Sequence, residues 1–271
     1  MADDSSKPIG IFDSGIGGLT VVGELMKHLP NEDIVYFGDT GRFPYGVRSA
    51  SVIQRFSRQN VRFLLMKKVK YIIVACNTAS AQALDSIRED FDIPIMGVIE
   101  PGAKGALAMS KAGKIGVIGS TGTVASSSYT KAIHKLDERM EVFASATPLF
   151  VALAEEGYVD KPATKLIAED YLLPLKEKGI DCLVLGCTHF PVLKDVIAEV
   201  MESRVYLVDS AEWTVKSVKD DLYKRKLLNS TNKPGVYQYF VSDTPDKFVQ
   251  VGNRFLGKGV APAKKIDIEK Y

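Results

Sequence analysis

Short apolar runs alternate along the chain with longer stretches whose apolar positions recur at helical spacing. The runs are rich in Val and Ile, end in Gly, Ser, Thr or Cys, and read as buried strands of a parallel sheet. They are PIGIFDS (8–14), DIVYFGDT (33–40), YIIVACNT (71–78), IPIMGVI (93–99), KIGVIGS (114–120), MEVFAS (140–145), DCLVLGCT (181–188), RVYLVDS (204–210) and VYQYFVSD (236–243). Between them, SASVIQRFSRQNVRFLLMKK and TKLIAEDYLLPLKEKG predict amphipathic helices packed on the sheets. The expected class is α/β.

An internal echo divides the chain. KPIGIFDSGIGGLTV resembles GKIGVIGSTGTVASS, and VKYIIVACNTAS resembles GIDCLVLGCTHFP, at comparable separations. Duplication explains this most simply, giving a first domain of residues 1–99 with 210–271 and a second of 100–209. The boundary near Glu100 rests on the echo alone. The last strand returns to the first domain with DTPDKFVQVGNRFL as its helix, and GVAPAKKIDIEKY is expected to be a solvated end.

Composition narrows the class further. The 271 residues are 46% hydrophobic, enough for two cores, and 35 Lys and Arg face 33 Asp and Glu. With these charges interspersed, neither a nucleic-acid nor a membrane partner is expected. The start MADDSSKP has no apolar signal core, so a cytoplasmic location is expected. The odd count of three cysteines fits free thiols in a reducing compartment.

The candidate chemistry sits at strand ends. GIFDSGIGGLT has Thr20 where a dinucleotide fingerprint needs Gly and lacks the Gly-Lys-Ser/Thr of a P-loop. What remains is a strand delivering Asp13 and Ser14 to a sheet's carboxyl edge, followed by a Gly-rich turn whose amides could meet a ligand carboxylate. Alternatively, Asp13 or Ser14 merely caps the next helix. VACNTAS and LGCTHFP each set a cysteine at a strand end before small polar residues that open a helix. A helix N-terminus or a protonated His189 would draw the thiols of Cys76 and Cys187 toward reactivity at working pH. A disulfide, metal ligation and inert core cysteines are the alternatives. Two matched thiols also suit inversion of a carbon bearing hydrogen, one removing a proton and the other returning one to the opposite face. Cys182, five positions before Cys187, points the other way and should be core. His28 and His134 lie in charged helical stretches and read as surface residues.

Together IFDSGIGGLTV, YFGDTGRFPYG, VACNTAS, GVIEPG and LGCTHFP resemble the bacterial, cofactor-independent glutamate racemase family, from about residue 8 to about residue 257. The resemblance implies two flavodoxin-like parallel-sheet domains related by pseudo-twofold symmetry, with the active site between them. It also implies a homodimer, no cofactor or metal, and supply of D-glutamate for peptidoglycan, hence for cell-wall biogenesis and cell shape. Carried over by motif, Cys76 and Cys187 are the acid/base pair, assisted by Asp13 on one side and by Glu155 and His189 on the other. Asp13, Ser14, Tyr45, Gly46, Asn77, Thr78, Thr121, Thr123, Thr188 and His189 are the implied substrate contacts, and Asp39 supports the first thiol from behind. Glu156 competes with Glu155 for the role beside His189, and alignment on PLFVALA favours Glu155. Gly41 departs from the family's usual small non-glycine residue. Residues 1–7 are expected to be too short to build an effector site. An aspartate or related racemase would carry Cys-Thr-Glu at the second motif; a cysteine hydrolase would leave Cys76 unexplained, and a binding module would leave both thiols so.

Overall fold

The computed structural model describes residues 4–202, 204–257 and 259–271. Among these, ten strands form two wholly parallel sheets. The strands are β1 (Ile9–Asp13), β2 (Ile34–Gly38), β3 (Tyr71–Val74), β4 (Ile95–Gly97), β5 (Lys114–Gly119), β6 (Glu141–Ala146), β7 (Cys182–Gly186), β8 (Tyr206–Asp209), β9 (Tyr237–Val241) and β10 (Lys264–Lys265). The first sheet runs β10-β9-β2-β1-β3-β4 and the second β6-β5-β7-β8. The second order repeats the last four strands of the first, β2-β1-β3-β4, so β3 and β7, which precede Cys76 and Cys187, hold equivalent places. This is the flavodoxin-like arrangement, whose ligand crevices lie at the strands' carboxyl ends.

Burial on both faces accounts for the continuous apolar strands: β1, β2, β3 and β7 are buried at every position. Helix Ala50–Met66 buries Ile53, Phe56, Phe63 and Leu64 on one stripe, and helix Pro245–Leu256 buries Phe248, Val251 and Phe255. The largest apolar cluster is shared by both halves, joining Ile11 and Leu19 to Phe150, Leu183 and Val215. Helix Ser210–Lys224 packs on helix Leu19–His28 and on helix Ile99–Met109 at once. The crevice between the sheets therefore rests on a common apolar floor. Truncating a fully buried member such as Leu183 to Ala would cost about 2–5 kcal/mol.

The tail corrects one expectation. Rather than ending in solvent, it adds β10 beside β9, buries Ile268 among the residues behind the first sheet, and sets the Tyr271 ring edge-on against Phe63. The cause is legible in KIDI: Ile266 and Ile268 alternate with polar residues beside a strand edge that would otherwise be open. The acidic start MADDSSKP is described only from Asp4; Met1, Ala2 and Asp3 lie outside the described residues. Among the described residues, no helix is long and apolar enough to cross a membrane.

Candidate active site

The turn after β1 is built around Asp13. Its buried carboxylate accepts the Gly15 amide at 2.9 Å and a second bond from the Gly18 amide, while Thr188 donates its hydroxyl at 3.4 Å from the second half. Burial raises the Asp13 pKa, opposed by the charge of His189 and by these bonds. The Gly15 and Gly18 amides thus serve Asp13. Gly17 is needed for another reason: a Cβ there would stand 2.4 Å from Thr188 Oγ1 and 2.6 Å from His189 Nδ1. The missing side chain lets the first motif pack directly against the second.

Cys76 stands two residues past β3 and caps helix Asn77–Gln82, accepting the Ala79 amide at 3.5 Å and donating its thiol to Ser14 Oγ at 3.5 Å. The cap does not make it acidic. Burial, then the nearby Asp13 charge, push the thiol up to about 12, outweighing the Ser14 and Ala79 bonds. Cys76 is therefore a protonated thiol at neutral pH, a correction to the expectation that both thiols are drawn downward.

Cys187 directly follows β7 and is half-buried. A 3-10 turn, Phe190–Leu193, precedes helix Lys194–Met201, so no α-helix opens immediately after it. His189 Nδ1 lies 3.8 Å from Cys187 Sγ, and Nε2 lies 3.1 Å from Glu155 Oε1. Burial works against a charged ring, but hydrogen bonds to Cys187 and Glu155, with the charges of Cys187 and Asp13, lift His189 to about 10. The ring is an imidazolium at neutral pH, sandwiched by Phe43 stacked at 5.8 Å and Phe255 edge-on at 5.2 Å. Glu155 is the neighbour whose carboxylate meets His189; Glu156 lines the same cavity.

Both thiols line one cavity of about 310 Å³, together with Ser14, Tyr45, Gly46, Asn77, Thr78, Thr121, Thr188 and His189. Among the described residues no Lys or Arg lines it. Asn77 is oriented by Tyr129, whose hydroxyl donates to Oδ1 at 2.7 Å; the buried Nδ2 has no partner among the described residues. Thr78 Oγ1 meets Ser120 Oγ at 2.8 Å and the buried Thr123 Oγ1 at 3.2 Å, so Thr123 braces Thr78 from behind and does not line the cavity.

Tyr45 lines the cavity, but its hydroxyl is engaged away from it. Its hydroxyl is buried in bonds to Asp39 and Asn60, and Asp39 also accepts Arg42 Nε at 2.7 Å and the Ser242 hydroxyl at 2.9 Å. Asp39 thereby anchors the loop carrying Phe43, Pro44, Tyr45 and Gly46. Ser120, Phe43, Pro148 and Val151 also line the cavity, beyond the residues to which the motifs point. The echo of Ser14 in GST and the FP of GRFPYG were the available signals for Ser120 and Phe43. Cys182 is buried core, and His28 and His134 are exposed. No group of three or more His, Cys, Asp or Glu among the described residues could hold a metal ion.

Known proteins resemble this chain in sequence and fold. The Asp/Glu/Hydantoin racemase family matches residues 21–218. A glutamate racemase of Geobacter metallireducens is 50% identical over 263 residues, covering 97% of each chain. The crystal structure of a glutamate racemase isoform from Bacillus anthracis superposes with a TM-score of 0.94 at 38% identity, covering 97% of this chain and 98% of that one. That of glutamate racemase from Francisella tularensis in complex with D-glutamate gives 0.92 at 41%, covering 98% and 100%. Matched along both sheets and over nearly its whole length, the chain belongs to the Asp/Glu/Hydantoin racemase family.

Proposed function

We propose that this racemase interconverts L- and D-glutamate with two thiols and no cofactor, in the crevice between the domain of residues 1–99 with 210–271 and that of 100–209. One observation carries the reading: thiols from equivalent strand ends of two sheets line a single cavity, each beside its own acid/base group. Glutamate is the substrate named for the relatives, and one of them holds D-glutamate. With no Lys or Arg lining the cavity among the described residues, the carboxylates are held by Asn77 Nδ2, by the Ser14 and Thr121 hydroxyls and by backbone amides.

In the L-to-D direction Cys187 removes the α-proton, and His189, held by Glu155, offsets the charge and manages the proton. Cys76, a neutral thiol, delivers its proton to the opposite face. In reverse, Cys76 acts as base with Asp13 at hand to take its proton. The product would enter peptidoglycan in the cytoplasm, and the enzyme would act as a homodimer. Purified protein given L-glutamate without pyridoxal phosphate should lose optical rotation to zero. A constant rotation from folded protein would remove the reading.

A further inference from the structure

The helix that carries Glu155, Leu149–Glu156, ends at Gly157, whose φ of +73° closes it, with the Tyr158 amide donating to the Leu153 carbonyl at 2.9 Å. Its last carbonyls need further donors. Arg254, from the other half of the molecule, supplies them: Nη1 donates to the carbonyl of Ala154 at 3.0 Å and to that of Glu155 at 2.8 Å. The guanidinium lies across Gly157, where a Cβ would stand 2.6 Å from Nη2. The next residue, Phe255, sets its ring against His189. One helix, Pro245–Leu256, therefore grips both members of the pair beside Cys187.

We propose that Arg254 is a positioning residue that reaches between the halves to fix the last turn of helix Leu149–Glu156, so that Glu155 holds His189 in line with Cys187. Arg254 does not line the cavity, and it acts through the Glu155 backbone. The inference rests on Cys187 and His189 working as proposed above. Displacement of such a constellation by about 1 Å can cost about a hundredfold in rate.

The test is the His189 titration, followed by NMR of the full-length protein labelled at histidine nitrogen, alongside kcat/KM for glutamate. Exposed His28 and His134 serve as internal references. The groups facing His189 are Cys187, Glu155 and Asp13, with the rings of Phe43 and Phe255. Removing a nearby cation alone would raise the His189 pKa, whereas losing the Glu155 bond lowers it, so the two effects have opposite signs. Arg254→Met should lower it by about one unit or more and reduce kcat/KM about tenfold to a hundredfold. Arg254→Lys should recover part of both, and Gly157→Ala, which displaces the guanidinium from the other side, should lower the His189 pKa as well. An unchanged or raised His189 pKa in Arg254→Met and Gly157→Ala, whatever the activity, overturns the proposal. A lowered pKa in a protein that never racemises glutamate would uphold the positioning while rejecting the two-thiol reading.

Discussion

The Tyr129 hydroxyl donates to Asn77 Oδ1 at 2.7 Å, joining a residue of the second half to one beside the first thiol. That bond fixes which end of the amide is free, and the free end is a buried donor at a cavity that no Lys or Arg lines among the described residues. Tyr129→Phe lets the amide turn. The expected outcome is a KM for glutamate raised about tenfold, the worth of one hydrogen bond to a charged group, with kcat changed far less. A KM equal to wild type would show that Asn77 does not depend on Tyr129.

Gly46 tests how tightly the halves close. A Cβ at this position would stand 2.8 Å from Ser120 Cβ. Gly46→Ala should part the Tyr45–Val47 turn from helix Thr121–Ala125 and lower kcat/KM about tenfold or more.

The buried histidine ties stability to pH. His189 titrates near 6.5 when unfolded and is lifted to about 10 when folded, so the folded state holds the proton more tightly. Its contribution is complete below about pH 6.5 and declines toward pH 10, at about 1.4 kcal/mol per pH unit for one proton. Cys76, raised from an ordinary 9 to about 12, adds a loss of the same sign at higher pH. Denaturant unfolding measured from pH 6 to pH 10 should show this decline, and His189→Asn should flatten it. Equal slopes in the two proteins would mean that His189 is not held as an imidazolium.

Much of this was legible in the sequence, for a physical reason. Strands buried on both faces must be continuously apolar, and strand-end cysteines followed by polar residues stand out against such runs. The two-sheet α/β fold was therefore readable, as was the core position of Cys182. Three features were not. The acidity of Cys76 depends on burial and on Asp13, 63 residues away in sequence, whose placement only the fold decides. The Gly15 and Gly18 amides turn inward because Asp13 accepts them. Tyr45 looks like a ligand contact in its motif, but its hydroxyl belongs to Asp39 and Asn60.

The tail offers a separate check on packing. Glu269 accepts Arg42 Nη1 at 3.1 Å and Ile268 is buried, so the chain's end braces the loop that Asp39 anchors. Ile268→Ala should cost about 2–4 kcal/mol of stability by cavity formation. A loss under about 0.5 kcal/mol, usual for surface positions, would restore the solvated tail.

The central claim is that Cys76 and Cys187 address opposite faces of one α-carbon, and elimination from a glutamate bearing chloride at the β-carbon tests it most directly. Loss of the α-proton expels chloride without any acid on the far face, so a single thiol suffices. Cys76→Ser should abolish racemisation yet eliminate chloride chiefly from the L-substrate through Cys187. Cys187→Ser should do so chiefly from the D-substrate through Cys76, and Cys182→Ser should leave both reactions nearly intact. If the Cys76 and Cys187 variants process the two enantiomers alike, or if only Cys187 matters, the opposed-thiol account is wrong.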